Sequence, residues 1–156
     1  MRVHICAVGR LKSGPERDLS DDYARRFERV GRPCGLSQLS VIEVEARKGG
    51  TRAEEADALA RALPKGALIC ALDERGRALS SPEFAAQLAR WRDTGRQDIA
   101  FILGGADGLL PEFTSNADFI LSFGKMVWPH MLARVMLTEQ LYRAASILAG
   151  TPYHRN

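Results

Sequence analysis

LSFGKMVWPHMLARVMLTEQLYRAASILAGTPYHRN, residues 121–156, strings together a short apolar strand, a glycine-bearing loop, a long helix and a compact aromatic and basic tail. The pattern predicts a strand over Phe119 to Phe123 and a helix from about Pro129 to Ala149. Gly150 is its left-handed stop, and Pro152 bars continuation. His130, Arg134, Thr138 and Tyr142 recur every fourth residue and form one slowly drifting row. Leu132, Val135, Leu141, Ala145 and Leu148 are left for the core. Glu139 and Arg143, also four apart, suit a surface ion pair.

Working back from that segment, strands and helices alternate. RVHICAV (2–8) is an almost continuous apolar run of the kind that lies covered on both faces. Leu39 to Val44 is a second short strand, ALICAL (67–72) the clearest buried strand and DIAFIL (98–103) a further one. His4 interrupts the first run, where a structural role outweighs a catalytic one. Ser13 to Glu16 and Thr51 to Glu54 place a hydroxyl three residues before a carboxylate, a capping box. Leu19, Tyr23, Phe27 and Val30 define the buried stripe of the first helix. Ala56, Leu59, Ala60 and Leu63 face inward on the second, which Pro64 and Gly66 end. Asp73 to Gly76 is a turn, and Ser81-Pro82 opens a third helix lined by Phe84, Leu88 and Trp91. A short helical piece spans Pro111 to Ala117. The alternation predicts an α/β fold with a largely parallel sheet, one domain over 1–156.

Composition narrows the function classes. A chain of 156 residues with 46% hydrophobic and 26% charged content is ordinary for a globular domain. The apolar runs are too short to span a bilayer, and the first strand lacks the pattern of a signal peptide. A cytoplasmic setting is expected. Cys6, Cys34 and Cys70 show no CxxC spacing, so reduced structural thiols are expected. The net charge of +3 is mild. Arg25, Arg26, Arg29 and Arg32, and Arg47, Lys48 and Arg52, form basic clusters that suit a solvated face or RNA equally. GGADG (104–108) fits neither GxGxxG nor the Walker loop; its glycines suit a tight turn ahead of a close approach of backbone to a ligand. GxSxG, HExxH and metal-spaced histidines are absent from the sequence, so no metal is expected. The tail reads either as frayed or as a base-stacking, phosphate-pairing end.

Taken together, AVGRLK (7–12), LDERGRALSSPEFA (72–85), FILGGADGL (101–109), LSFGKM (121–126), PHMLARVMLTEQLYRA (129–144) and PYHR (152–155) resemble, in order and over essentially the whole chain, the RlmH family of SPOUT-class methyltransferases. The resemblance implies a single SPOUT-type α/β domain with a C-terminal trefoil knot, a homodimer, and S-adenosylmethionine (SAM) as methyl donor. It implies methylation of N3 of a pseudouridine in 23S rRNA on assembled ribosomes. By position the cofactor would be held by Leu72, Gly104, Gly105 and the segment Phe123, Gly124, Lys125, Met126, Val127 and Trp128. Gly124 and Val127 stand where relatives carry hydroxyls.

Deprotonating N3 leaves an imidate anion, so a base and a nearby cation are needed. Under the resemblance, His130 is the first base candidate and His154 the second. Arg134 and Arg143 are the cation candidates, Tyr142 and Tyr153 stack or hydrogen-bond the base, and Arg155 belongs to the RNA-facing tail. Two alternatives stay open: a non-catalytic ribosome-binding module of the same fold, and a related methyltransferase acting on tRNA.

Overall fold

The computed structural model describes residues 1–45 and 51–155. The basic stretch with Arg47 and Lys48 lies outside the described residues. Five strands, β1 (Arg2–Val8), β2 (Gln38–Val44), β3 (Leu68–Ala78), β4 (Asp98–Leu103) and β5 (Phe119–Ser122), form one sheet in the order β2-β1-β4-β3-β5. Every pairing is parallel. DIAFIL supplies β4, every residue of which is buried, as an apolar run between two neighbours requires.

Five helices cover the sheet: α1 (Pro15–Gly31), α2 (Arg52–Ala62), α3 (Ser81–Asp93), α4 (Pro111–Ser115) and α5 (His130–Leu148). Alternate residues of each strand point to opposite faces, and the core divides accordingly. Val3, Ile5, Ile99 and Phe101 pack with Phe27, Leu88, Leu137 and Leu141 of α1, α3 and α5. Cys6, Ala71, Ala100 and Ile102 pack with Leu59 of α2 and Phe113 of α4. Burial raises the Cys6 thiol to about 11, which keeps it a protonated apolar filler.

Most expected elements form within a residue or two of their predicted ends, and Thr51 and Glu54 make the full capping box of α2. Gly150, at φ 67°, closes α5: its N–H bonds to the Ile147 carbonyl and that of Thr151 to the Ser146 carbonyl, a Schellman pattern.

Several readings need correction. Ser13 does not cap α1, whose N-cap is Gly14 with Pro15 in the first turn. The α3 capping box belongs to Ser80 and Glu83, which frees Ser81 to donate to Gln140 on α5 at 2.7 Å. Leu19 is 47% exposed. In its place α1 turns Ser20, Ala24, Phe27 and Gly31 inward, because small residues let it approach α5 closely; a methyl on Gly31 would lie 3.6 Å from Ala145 Cβ. Ala60 is exposed as well. Asp73 to Gly76 is a bulge within β3 and not a turn, since Leu72 and Arg77 both pair with Leu121. Gly76 is needed there: an added Cβ would sit 2.7 Å from the Ile120 carbonyl oxygen.

Asp98, at the start of β4, accepts two bonds from Arg2 (2.7 Å each) and one from His4 Nε2 (2.8 Å), while His4 Nδ1 meets Ser40 at 2.7 Å. His4 therefore ties three strands together. The Arg2 hydrogen bonds hold the Asp98 carboxyl below the usual carboxylate range, joined by the His4 bond and opposed by burial. A depressed carboxylate stabilises the fold above its unfolded value, about 3.9, and that contribution is lost as pH falls through the folded value. Asp98→Asn should lower stability at neutral pH by about 2 kcal/mol and flatten the loss of stability below about pH 4, as read by urea unfolding across pH.

Candidate active site

The carboxyl ends of β3, β4 and β5 open into a cleft of about 440 Å³, the place where open parallel sheets hold ligands. Leu72, Asp73 and Arg75 from the β3 bulge form one wall, and Gly105 to Leu109 form the second. Phe123, Gly124, Met126, Val127, Trp128 and the α5 residue Ala133 form the third. Of the nine expected cofactor residues, Leu72, Gly105, Phe123, Gly124, Met126, Val127 and Trp128 line this cleft. Lys125 and Gly104 do not.

Gly104 lies beneath the turn. A Cβ there would overlap the Gly108 carbonyl carbon and come within 2.6 Å of the Leu109 nitrogen. Its missing side chain lets the turn fold back, with Gly105 and Gly108 bridged and a 3.1 Å bond from Gly108 N–H to the Gly105 carbonyl.

The loop before α5 is held from within. The Ser122 hydroxyl donates to the Glu74 carbonyl at 3.1 Å and accepts the Gly124 N–H at 3.1 Å, and Gly124 takes φ 105°. Trp128 Nε1 donates to the Phe123 carbonyl at 3.4 Å. Across the cleft, Arg52 donates to the Leu109 carbonyl at 3.0 Å, and Arg75 forks onto Asp73 at 2.8 and 2.9 Å. The Arg75 hydrogen bond holds the Asp73 carboxyl below its ordinary value. Ser122, Arg52, Asp73 and Arg75 were not among the expected site residues. The signal available for Ser122 was its hydroxyl immediately before Phe-Gly; pairing Arg75 with Asp73 required the bulge.

A second cluster gathers at the far end of α5. Glu139 Oε1 accepts Arg143 Nη2 at 2.6 Å, Arg143 Nε at 2.9 Å and the Tyr153 hydroxyl at 2.9 Å. Arg143 lies over the Tyr153 ring at 4.8 Å, and its Nη1 is 3.5 Å from His154 Nδ1. The Tyr142 and Tyr153 rings are 4.4 Å apart. The tail is therefore folded back onto its own helix. Glu139 and Arg143 pair as expected, but half-buried. Arg155 is exposed.

The row on α5 divides. His130 is half-buried at the first position of the helix, whereas Arg134 (2% exposed), Thr138 (0%) and Tyr142 (8%) lie in the interior. Met131 and Leu132, at 40% and 42%, are turned outward, so the apolar reading of Leu132 as core is corrected. Arg134 does not reach the cleft. It donates to Glu43 at 2.7 Å and to the Val8 and Gly9 carbonyls at 3.2 and 2.9 Å. Burial lowers its guanidinium from the ordinary value while Glu43 pulls it back up.

His130 and Arg143 are thirteen positions apart, so about 20 Å of helix separates them. One chain cannot bring both to one reacting atom. Between them runs a largely apolar groove of about 550 Å³, bordered by Tyr23, Leu79, Phe84, Phe123, Met136 and Glu139.

Residues 1–154 match the family model described as "Predicted SPOUT methyltransferase". The chain belongs to the SPOUT methyltransferases. Its relatives include proteins named Ribosomal RNA large subunit methyltransferase H from Cereibacter sphaeroides (strain ATCC 17025), 67% identical, Dinoroseobacter shibae, 66%, and Ruegeria sp. (strain TM1040), 64%. Each alignment covers 99% of both chains. These relatives agree with the RlmH resemblance seen in the motifs. Among solved structures, a probable methyltransferase from Bordetella pertussis shares the fold at TM-score 0.51 and 21% identity, covering 92% of this chain and 95% of that one.

Among the described residues no helix is long and apolar enough to cross a membrane, and no group of three or more His, Cys, Asp or Glu is placed to hold a metal.

Burial, then hydrogen bonding to Tyr23 and Glu139, pushes the Tyr153 phenol up. A raised phenol contributes stability that is complete below the unfolded value, about 10, and is lost as pH rises through the folded value. Absorbance titration should show a late-ionising tyrosine component, and Tyr153→Phe should remove it.

Proposed function

We propose that this chain is a SAM-dependent methyltransferase that modifies N3 of a pseudouridine in large-subunit ribosomal RNA, acting as a homodimer on assembled ribosomes in the cytoplasm. The observation that carries the reading is the backbone-walled cleft at the β3, β4 and β5 ends of a chain whose family match runs from residue 1 to 154. The cleft fits the cofactor. Its volume falls within the roughly 300–1,000 Å³ of small-molecule sites, and its walls offer backbone polar groups at the Gly105–Gly108 turn and an apolar floor from Leu72, Leu121 and Phe123. Gly124 and Val127 bring no hydroxyl to it, so backbone bonds and packing dominate.

SAM supplies an electrophilic methyl group when bound. Everything else falls to this chain. Leu72, Gly105, Phe123, Gly124, Met126, Val127 and Trp128 orient the donor, and His130, at the cleft end of α5, receives the N3 proton. Arg143, Tyr153, His154 and Arg155 hold the RNA base and offset the charge on its carbonyls. The span of helix between His130 and Arg143 supports a site shared by two subunits, each supplying its tail to its partner's cleft. Leu19, which lines the apolar groove, and Met126, Val127, Met131 and Leu132 are exposed apolar residues that suit the dimer contact. The knot is supported by the path of the chain. Residues of the 123–128 segment share the cleft with the β3 bulge and the Gly105–Leu109 turn, and α5 then reaches back to Val8, Gly9 and Glu43 toward the opposite edge of the sheet.

Calorimetry should detect SAM binding, and labelled methyl should pass to ribosomes from a strain lacking the modification but not to isolated tRNA. A folded protein that neither binds SAM nor transfers methyl rules the reading out. The double variant His154→Ala/Arg155→Ala should lose about 100-fold in turnover with SAM affinity nearly unchanged. Gly104→Ala, which crowds the turn, should show the reverse, weakening SAM binding first.

A further inference from the structure

We propose that Glu43 and Arg134 form a positioning pair for the methyl-transfer site, fixing the first turn of α5 and with it the cofactor loop and His130. The inference rests on the methyltransferase reading above.

Arg134 is the largest fully buried side chain among the described residues, at 2% exposure. Its guanidinium spans 91 residues of sequence to reach Glu43 at the end of the edge strand β2, and it also meets the last carbonyls of β1. Glu43 is the hub of the contact. The Oε1 that takes Arg134 also accepts the Leu11 N–H at 2.8 Å, and Oε2 lies 3.9 Å from Arg10 and 4.0 Å from Arg17. One carboxylate thus joins the β1–α1 loop to α5.

The position of this contact gives it its reach. Helix α5 begins without a side-chain cap; Pro129 occupies that place and offers only its carbonyl, to Ala133 N–H at 2.9 Å. Its start is located from the side, by Arg134. Ala133, the neighbour of Arg134, lines the cofactor cleft, as does Trp128 just before the helix, and His130 lies one turn earlier on the same row. A shift of the helix at Arg134 moves all three. Misplacement by about 1 Å is enough to cost on the order of 100-fold in rate. A buried ion pair contributes little net stability over well-packed apolar residues, so fixing a register is the use that this geometry supports.

Glu43→Gln and Glu43→Asp test the pair, with Leu88→Ala on α3, in the core cluster of Leu137 and Leu141 but outside the contacts of Arg134, as the control that lowers stability. Thermal unfolding, SAM calorimetry, amide exchange over residues 128–134 and kcat and KM on unmodified ribosomes are measured for each. The expected result for Glu43→Gln is a roughly tenfold weaker SAM affinity and a 10- to 100-fold lower kcat, KM for ribosomes nearly unchanged, and faster exchange at 130–134. Glu43→Asp, which keeps the charge, falls between it and wild type, and serves alone if the Gln variant does not fold. Leu88→Ala melts earlier yet retains SAM affinity, kcat and exchange at 130–134. The proposal is overturned if the Glu43 variants match wild type in affinity and exchange, or if Leu88→Ala loses as much at an equal drop in melting temperature. A wild type that binds SAM but methylates no ribosome sinks the proposed function alone, because affinity and exchange still decide the role of Glu43.

Discussion

A guanidinium taken out of water must be met by oxygen on most of its edge, and the way Arg134 is met determines where α5 can lie. Glu43 from β2 and the Val8 and Gly9 carbonyls from β1 are its described partners. None belongs to the strand that precedes α5. The helix is consequently drawn back across the sheet from the edge strand β5 toward β1 and β2. There it also packs Leu137, Leu141, Ala144 and Ala145 against α1 and the sheet. The apolar contacts supply most of the burial, and the ion pair supplies the register.

That placement gives α5 two working ends. Its first turn forms a wall of the cleft with Trp128 and Ala133, while its last turns carry Glu139, Arg143 and the returning tail. Tyr153 is held by a hydrogen bond to Glu139, by the Tyr142 ring and by Arg143, so the tail is an ordered part of the fold. The two ends are too far apart for one active site within one chain, and this supports the shared site proposed above. In the proposed reading, cofactor handling and RNA handling fall at opposite ends of a single helix.

The cleft shows the same economy. Gly104, Gly76 and Gly124 each do something no larger residue could: fold a turn onto itself, let β5 approach the β3 bulge, and take a positive φ beside Ser122. The walls combine the glycine turn at Gly105–Gly108 with the side chains of Leu72, Phe123 and Trp128, the mix of polar edges and apolar surface that small-molecule sites use.

By itself the sequence determined the alternation of strands and helices, the buried character of DIAFIL and ALICAL, the capping box at Thr51, the glycine stop at Gly150 and, through its ordered motifs, the family. These are local signals, set by backbone preferences and by apolar period within one element. Most of the cleft wall after β5 was legible too: Phe123, Gly124, Met126, Val127 and Trp128, marked by position through the resemblance, follow a strand end and line the cleft. Only the tertiary structure decided that Arg134 faces inward while Leu132 faces out, that Ser80 and not Ser81 caps α3, that Asp73 to Gly76 is a bulge, and that Glu43 is the partner of a residue 91 positions away. The reason is physical. Spacing along a helix says which residues share a face, but which face is buried depends on what the rest of the chain brings against it, and a carboxylate at the end of a distant strand made the charged face the inner one.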